Sequence, residues 1–193
     1  MFLREPPRTP DVDAMYDEDV GSDGYVWNNT RLWAYRPDVV GPFVALRAQV
    51  TDGSTLSERE VAVLVAATAG ASGDSYCALA WGARMARLTG DEAAVAVLTG
   101  AAAAELSARE SALADWARAV VTDANSTQQP DVDVLRAAGL DDREIFDATV
   151  FVALRLAFLV VDDALGAEPD AALAAAAPAA VRAAVTFGRP VDG

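Results

Sequence analysis

The sequence has no histidine and a single cysteine, Cys77, in 193 residues. Without imidazole no side chain ordinarily titrates near neutrality, so general base chemistry would need a carboxylate shifted by its surroundings. The same scarcity removes the usual zinc ligand sets. The paired acids fall at helix ends rather than in a calcium-type loop, so neither a metal nor any other cofactor is expected. One cysteine cannot close an internal disulfide, and the chain offers no second thiol to resolve an oxidised one. A glycine-rich phosphate loop, a Walker pattern and a serine-histidine pair are also missing.

Positive charge is scarce as well. Fifteen Lys and Arg face 29 Asp and Glu, for a net charge of −14 and a pI near 4.2. Nucleic acid and an anionic membrane surface would both repel such a chain, so neither is an expected partner. The longest apolar runs, "VAVLVAATAGA" from 61 and "TVFVALRLAFLVV" from 149, stop short of the roughly 20 residues that a membrane span needs. The first residues, "MFLREPPRTPDVD", contain no apolar stretch like a signal peptide, and a lone cysteine suits a reducing compartment. The expected location is the cytoplasm.

What the sequence does have is alanine. Hydrophobic residues make up 53% and aromatic ones only 7%, which favours closely packed helices with few large side chains to share among them. Residues 1–24, rich in Pro, Asp and Gly, are expected to form an irregular arm, with a single all-helical domain over 25–193. "YVWNNTRLWAYRPDVVGPFVALRAQV" from Tyr25 reads as a short helix, a break at Arg36-Pro37 and a second helix that Gly41-Pro42 starts or kinks. Ser57 and Glu60, then Ser107 and Glu110, stand in capping-box register before apolar runs. Gly70 to Gly73, and glycines at 90, 139 and 166, mark helix stops. No segment alternates with period two, so the fold class is all-α. Three helix starts, "LSEREV", "LSARES" and "LDDREI", share an Arg-Glu pair, which duplication or capping chemistry alone would explain.

Asp74 is a plausible N-cap for "DSYCALAWGARMARLTG", which places Cys77 at N3 of a helix, the second of a hairpin that turns near residue 72. Backbone amides and the helix dipole there favour the thiolate, while Asp74 opposes it. Cys77 therefore reads as a nucleophilic thiol or as a buried, inert cysteine packed beside Trp81. In the hairpin Glu60 mirrors residue 84, about seven residues or roughly 10 Å from the level of Cys77. Arg84 is thus the expected partner of Glu60. Arg155, in an apolar helix closed by Asp162 and Asp163, reads as one half of an ion pair or as a cavity arginine that holds a substrate carboxylate.

"RPDVVGPFVAL", the hairpin "LSEREVAVLVAATAGASGDSYCALAWGARMARLTG" and "AGLDDREIFDATVFVALRLAFLVVDDALG" together resemble the carboxymuconolactone decarboxylase and alkyl hydroperoxidase D-like superfamily, from about residue 30 to 166. The resemblance implies an all-helical bundle built around a central helical hairpin, homo-oligomers, and a reactive motif at the start of the hairpin's second helix. Peroxidase members carry Cys-x-x-Cys with a histidine four residues after the second cysteine, and a glutamate at the start of the preceding helix. Here Cys77 matches the second cysteine, Asp74 stands at the first and Trp81 at the histidine. Glu60 lies two residues further from the motif than the family's glutamate.

The reading this supports is a thiol-dependent peroxidase-like oxidoreductase, with Cys77 and Glu60 catalytic and Asp74, Tyr76, Trp81, Arg84 and Arg155 lining the pocket of a small-molecule substrate. An external thiol, or Cys77 of another subunit, would act as reductant. Two alternatives stay open. One is non-redox lactone or carboxylate chemistry, with Arg155 or Arg84 binding the acid, and the other is a non-catalytic binding protein on the same scaffold.

Overall fold

The computed structural model describes residues 1–191, and their regular structure is helical throughout. Helix α1 (Pro10–Asp23) precedes α2 (Asn28–Trp33) and α3 (Pro37–Asp52). The central hairpin is α4 (Glu58–Ser72) and α5 (Ser75–Thr89), followed by α6 (Asp91–Thr99) and α7 (Ala108–Asp123). A 3-10 turn (Ala124–Ser126) leads to α8 (Gln129–Ala137) and the long α9 (Asp142–Leu165); two short helices, α10 (Ala171–Ala176) and α11 (Ala179–Ala184), close the bundle. None of these helices is long and apolar enough to cross a membrane.

The arm expected to be irregular over 1–24 is helical from Pro10 to Asp23. Thr9 accepts the Val12 amide at 3.3 Å, Pro10 occupies the first turn where its missing N–H costs nothing, and Gly24 ends the helix in the left-handed region. Val12 and Tyr16 are buried against Ala34. Acidity that in composition suggests disorder instead suits, in the first turn, the positive end of a helix. Residues 1–9 remain irregular but are tethered, with the Phe2 amide on the Leu165 carbonyl at 2.9 Å and Glu5 paired to Arg31 at 2.6 Å. The chain does break at Arg36-Pro37, and α3 runs through Pro42 without stopping.

Helix α4 is the centre. Every residue from Ala62 to Ala69 is fully buried, covered by α5, α6, α7 and α9. Side chains this small demand close approach, and at Gly70 a Cβ would lie 2.1 Å from the Leu98 carbonyl oxygen. The N-termini of α4, α7 and α9 all carry complete capping boxes.

The shared Arg-Glu pairs have a structural use. Arg59 of α4 binds Glu110 of α7 at 2.7 Å, and Arg109 of α7 returns to Glu60 of α4. Arg109 also reaches Glu144 of α9 at 2.6 Å and the Gly139 carbonyl at 2.8 Å. Three helix starts are thereby fastened at one end of the bundle, and each glutamate both caps its own helix and accepts from a neighbour.

Gly70→Ala is expected to destabilise the protein by about 1–3 kcal/mol through overpacking against backbone that cannot rotate away. Thermal unfolding checks this, and an unchanged midpoint would show that α4 and α6 separate freely.

Candidate functional site

The far end of α4 builds the site. Gly73 turns the chain in the left-handed region (φ 76°), and Asp74 then caps α5 by accepting the Cys77 amide at 2.6 Å. Cys77 is at N3, as the spacing requires, and is 4% exposed. Its Sγ meets Nη2 of Arg155, which donates at 3.6 Å from the middle of α9. The Arg155 guanidinium lies over Trp81 at 5.2 Å and over Phe158 at 5.9 Å. Arg47 of α3 covers Phe158 at 5.6 Å.

An aromatic wall holds these cations in place. Trp33 stacks on Phe158 with centroids 4.8 Å apart and planes within 6°, and its indole N–H donates to Asp162 Oδ1 at 2.8 Å. A cavity of about 330 Å³ lies against Arg47, Tyr76, Cys77, Trp81, Arg155 and Phe158. It shares Asp19, Asn29, Thr30, Arg47 and Phe158 with a second hollow of about 410 Å³ along α3.

Of the expected site residues, Cys77, Asp74, Tyr76, Trp81 and Arg155 come together, while Glu60 and Arg84 do not. Glu60 is held by Arg109 and the Ser57 amide at the opposite end of α4. Arg84 pairs with Glu58 at 2.8 Å on the surface, with its guanidinium 4.9 Å from the Trp81 ring. The expected Glu60–Arg84 pair is therefore absent, because α7, which hairpin geometry leaves out, brings a cation closer. Tyr76 lines the cavity, but its hydroxyl donates to Asp170. Burial and that carboxylate push the phenol well above its usual range.

Arg47 is a site residue that sequence reasoning misses. Its only mark in "PFVALRAQV" is a lone charge in an apolar helix, the same mark that singles out Arg155. Asp162 also belongs here, joined to the site through Trp33.

The electrostatics correct one expectation. Helix placement favours the Cys77 thiolate, yet burial dominates and raises the thiol well above its ordinary value; Arg155 and Arg47 oppose the rise, and Asp74 and Asp162 add to it. Burial likewise pushes Asp74 up to about 7 and Asp162 up to about 8, despite the Cys77 amide on the first and the Trp33 indole on the second. Arg47 falls to about 10 through burial and the nearby Arg155. Among the described residues Asp74 Oδ2, Asp162 Oδ2, Arg155 Nε and Arg47 Nη1 are buried without a hydrogen-bond partner. So many orphaned polar atoms around one thiol are unusual in a native interior. No group of His, Cys, Asp and Glu among the described residues could hold a metal.

Two solved structures share this architecture. The crystal structure of alkylhydroperoxidase AhpD core, an uncharacterized peroxidase-related protein from Ralstonia eutropha JMP134, matches with a TM-score of 0.74 at 24% identity, over 90% of this chain and 94% of that one. The fold is alkylhydroperoxidase D-like. An uncharacterized peroxidase-related protein from Silicibacter sp. TM1040 matches with a TM-score of 0.78 at 22% identity, over 90% of this chain and 93% of that one. No family model matches the sequence, and no curated protein does.

The geometry generates two expected outcomes. A carboxyl whose folded pKa exceeds its unfolded value near 4 keeps its proton only in the folded state, so stability falls as pH rises from about 4 through 7 for Asp74 and through 8 for Asp162. Asp74→Asn, which keeps the cap, and Asp162→Asn should each flatten this loss, worth on the order of 1–3 kcal/mol at pH 8.5. Denaturant unfolding from pH 5 to 8.5 checks it. Glu60→Gln should cost about 1–3 kcal/mol and leave the alkylation rate of Cys77 unchanged. A well-folded Glu60→Gln protein with a silent thiol would return Glu60 to the site.

Proposed function

We propose that the protein is a thiol-dependent peroxidase-like oxidoreductase with Cys77 as its reactive centre. The observation that carries this reading is the contact of the Arg155 guanidinium with Cys77 Sγ at a helix N-terminus, beside a cavity. Both the cation and the helix end favour negative charge on sulfur. The two solved structures named peroxidase-related support it through the fold.

In the first step the Cys77 thiolate attacks one oxygen of a hydroperoxide. The S–O bond forms, the O–O bond breaks and the departing alkoxide takes up a proton, leaving an alcohol and Cys77 sulfenic acid. Arg155 stabilises charge on the sulfur before attack and can donate to the departing oxygen. An external thiol then displaces water from the sulfenic acid to give a mixed disulfide. A second external thiol releases Cys77 and leaves as the other half of a disulfide. With one cysteine in the chain, both reducing equivalents come from outside. The burial that raises the thiol works against the first step, and so do the charges of Asp74 and Asp162 when those carboxyls are ionised.

The test is to add one equivalent of peroxide to the reduced protein and follow Cys77 by mass spectrometry from pH 6 to 9, beside Cys77→Ser. One oxygen should add to Cys77, faster as the thiol ionises, and turnover should require added thiol. Arg155→Met should slow the oxidation about 10-fold or more. A native protein whose thiol resists peroxide and alkylating agents throughout this range, while the unfolded chain reacts, would end the reading.

A further inference from the structure

We propose that the cavity beside Cys77 is a binding site for a small carboxylate with an apolar body, its charged end held between Arg47 and Arg155. This goes beyond the redox reading and does not depend on it. Other arginines that reach across the fold end on an oxygen acceptor: Arg59 on Glu110, Arg109 on Glu60 and Glu144, Arg118 on the Val97 carbonyl, and Arg189, whose Nε is left unpartnered, on the Asp163 carbonyl at 2.8 Å. Arg155 is 4% exposed, yet its one hydrogen bond among the described residues goes to a sulfur atom. Half-buried Arg47 makes none and leaves Nη1 buried and unpartnered.

Two guanidinium groups facing one hollow repel each other, and each has given up part of its hydration. The neighbouring acids do not compensate them. Asp162 is turned onto Trp33 and Asp74 onto the Cys77 amide, and neither comes within ion-pair distance of Arg47 or Arg155. Asp19 also lines the cavity but is occupied by the Trp27 amide at 3.0 Å. An anion that places its oxygens between the two guanidinium groups would supply the acceptors they lack, in charge-assisted hydrogen bonds of the kind carboxylates form with arginine.

The walls define the rest of the ligand. Trp27, Tyr76, Trp81 and Phe158 surround the space with aromatic surface, and about 330 Å³ is at the lower end of the range for small-molecule sites. The aromatic walls suit an apolar body and cannot solvate a second charge, so a monocarboxylate fits better than an inorganic dianion such as sulfate. The hollow along α3 adjoins this cavity through Arg47 and Phe158.

The experiment uses the Cys77→Ser protein, in which thiol chemistry is impossible. Benzoate is titrated at pH 6.5 and constant ionic strength while tryptophan fluorescence is read, with inorganic sulfate as the contrasting dianion. Saturable binding of benzoate is expected, with sulfate at least 10-fold weaker. Arg47→Gln and Arg155→Gln should each weaken benzoate 10-fold or more, and Arg136→Gln, at the surface pair with Asp133 and Asp142, should not change it. Arg47 makes no hydrogen bond, so its variant keeps the test alive if Arg155→Gln fails to fold. No saturable benzoate signal, equal binding of sulfate, or full affinity in Arg47→Gln would each overturn the proposal. Oxidation of wild-type Cys77 that benzoate leaves untouched would do so as well, while carboxylate binding without any Cys77 oxidation would sustain it and remove the peroxidase reading alone.

Discussion

Eight consecutive residues of α4 have no exposed surface, and four of them are alanines. A helix with such short side chains is covered only if its neighbours come in closely, which is why α6 passes against Gly70 with no room for a methyl group. Everything else is arranged around that demand. The hairpin must turn tightly at Gly73, Asp74 must cap α5, and Cys77 is left one turn into that helix, facing α9. The position of the thiol is thus a consequence of packing before it is a matter of chemistry.

Local signals in the sequence carry the fold well. Ser57, Ser107 and Asp74 each satisfy a backbone amide three residues on, so a cap read from spacing is a cap in the structure. The α1 helix escapes such a reading because its proline and acids, suggestive of disorder in composition, are helix-starting residues in this order. The site is legible only where it is local. Asp74, Tyr76, Cys77 and Trp81 fall within one short stretch, whereas Arg47 and Asp162 arrive from helices distant in sequence, and the partner of Glu60 comes from α7. Side-chain pairing across a bundle depends on which helices are neighbours, and a hairpin considered alone does not contain that information.

The interior around Cys77 is costly by ordinary standards. Two arginines, two aspartates and a thiol occupy one region with four orphaned atoms. Such an arrangement contributes little to stability, since apolar residues of similar size would pack there without desolvating charge. Elsewhere most inward arginines end on acids or carbonyl oxygens, and away from Cys77 the buried side-chain atoms without a hydrogen-bond partner among the described residues are Asp13 Oδ1 and Arg189 Nε. Four such atoms gathered around one thiol mark a functional site, and it is the same place in which the two carboxyls come to titrate near neutrality in a chain without imidazole.

The crossed Arg59–Glu110 and Arg109–Glu60 pairs stand at the start of α4, and Cys77 stands beyond its end. From Glu60 to Ser72 the helix spans roughly 18 Å at 1.5 Å per residue. Effects at sites this far apart, with no shared partners, generally add. The two ends of α4 can therefore change independently. The clamp at one end can absorb substitutions that loosen or tighten the bundle, while the pocket at the other is free to exchange its capping, aromatic and cationic residues without unfastening the helices that hold it.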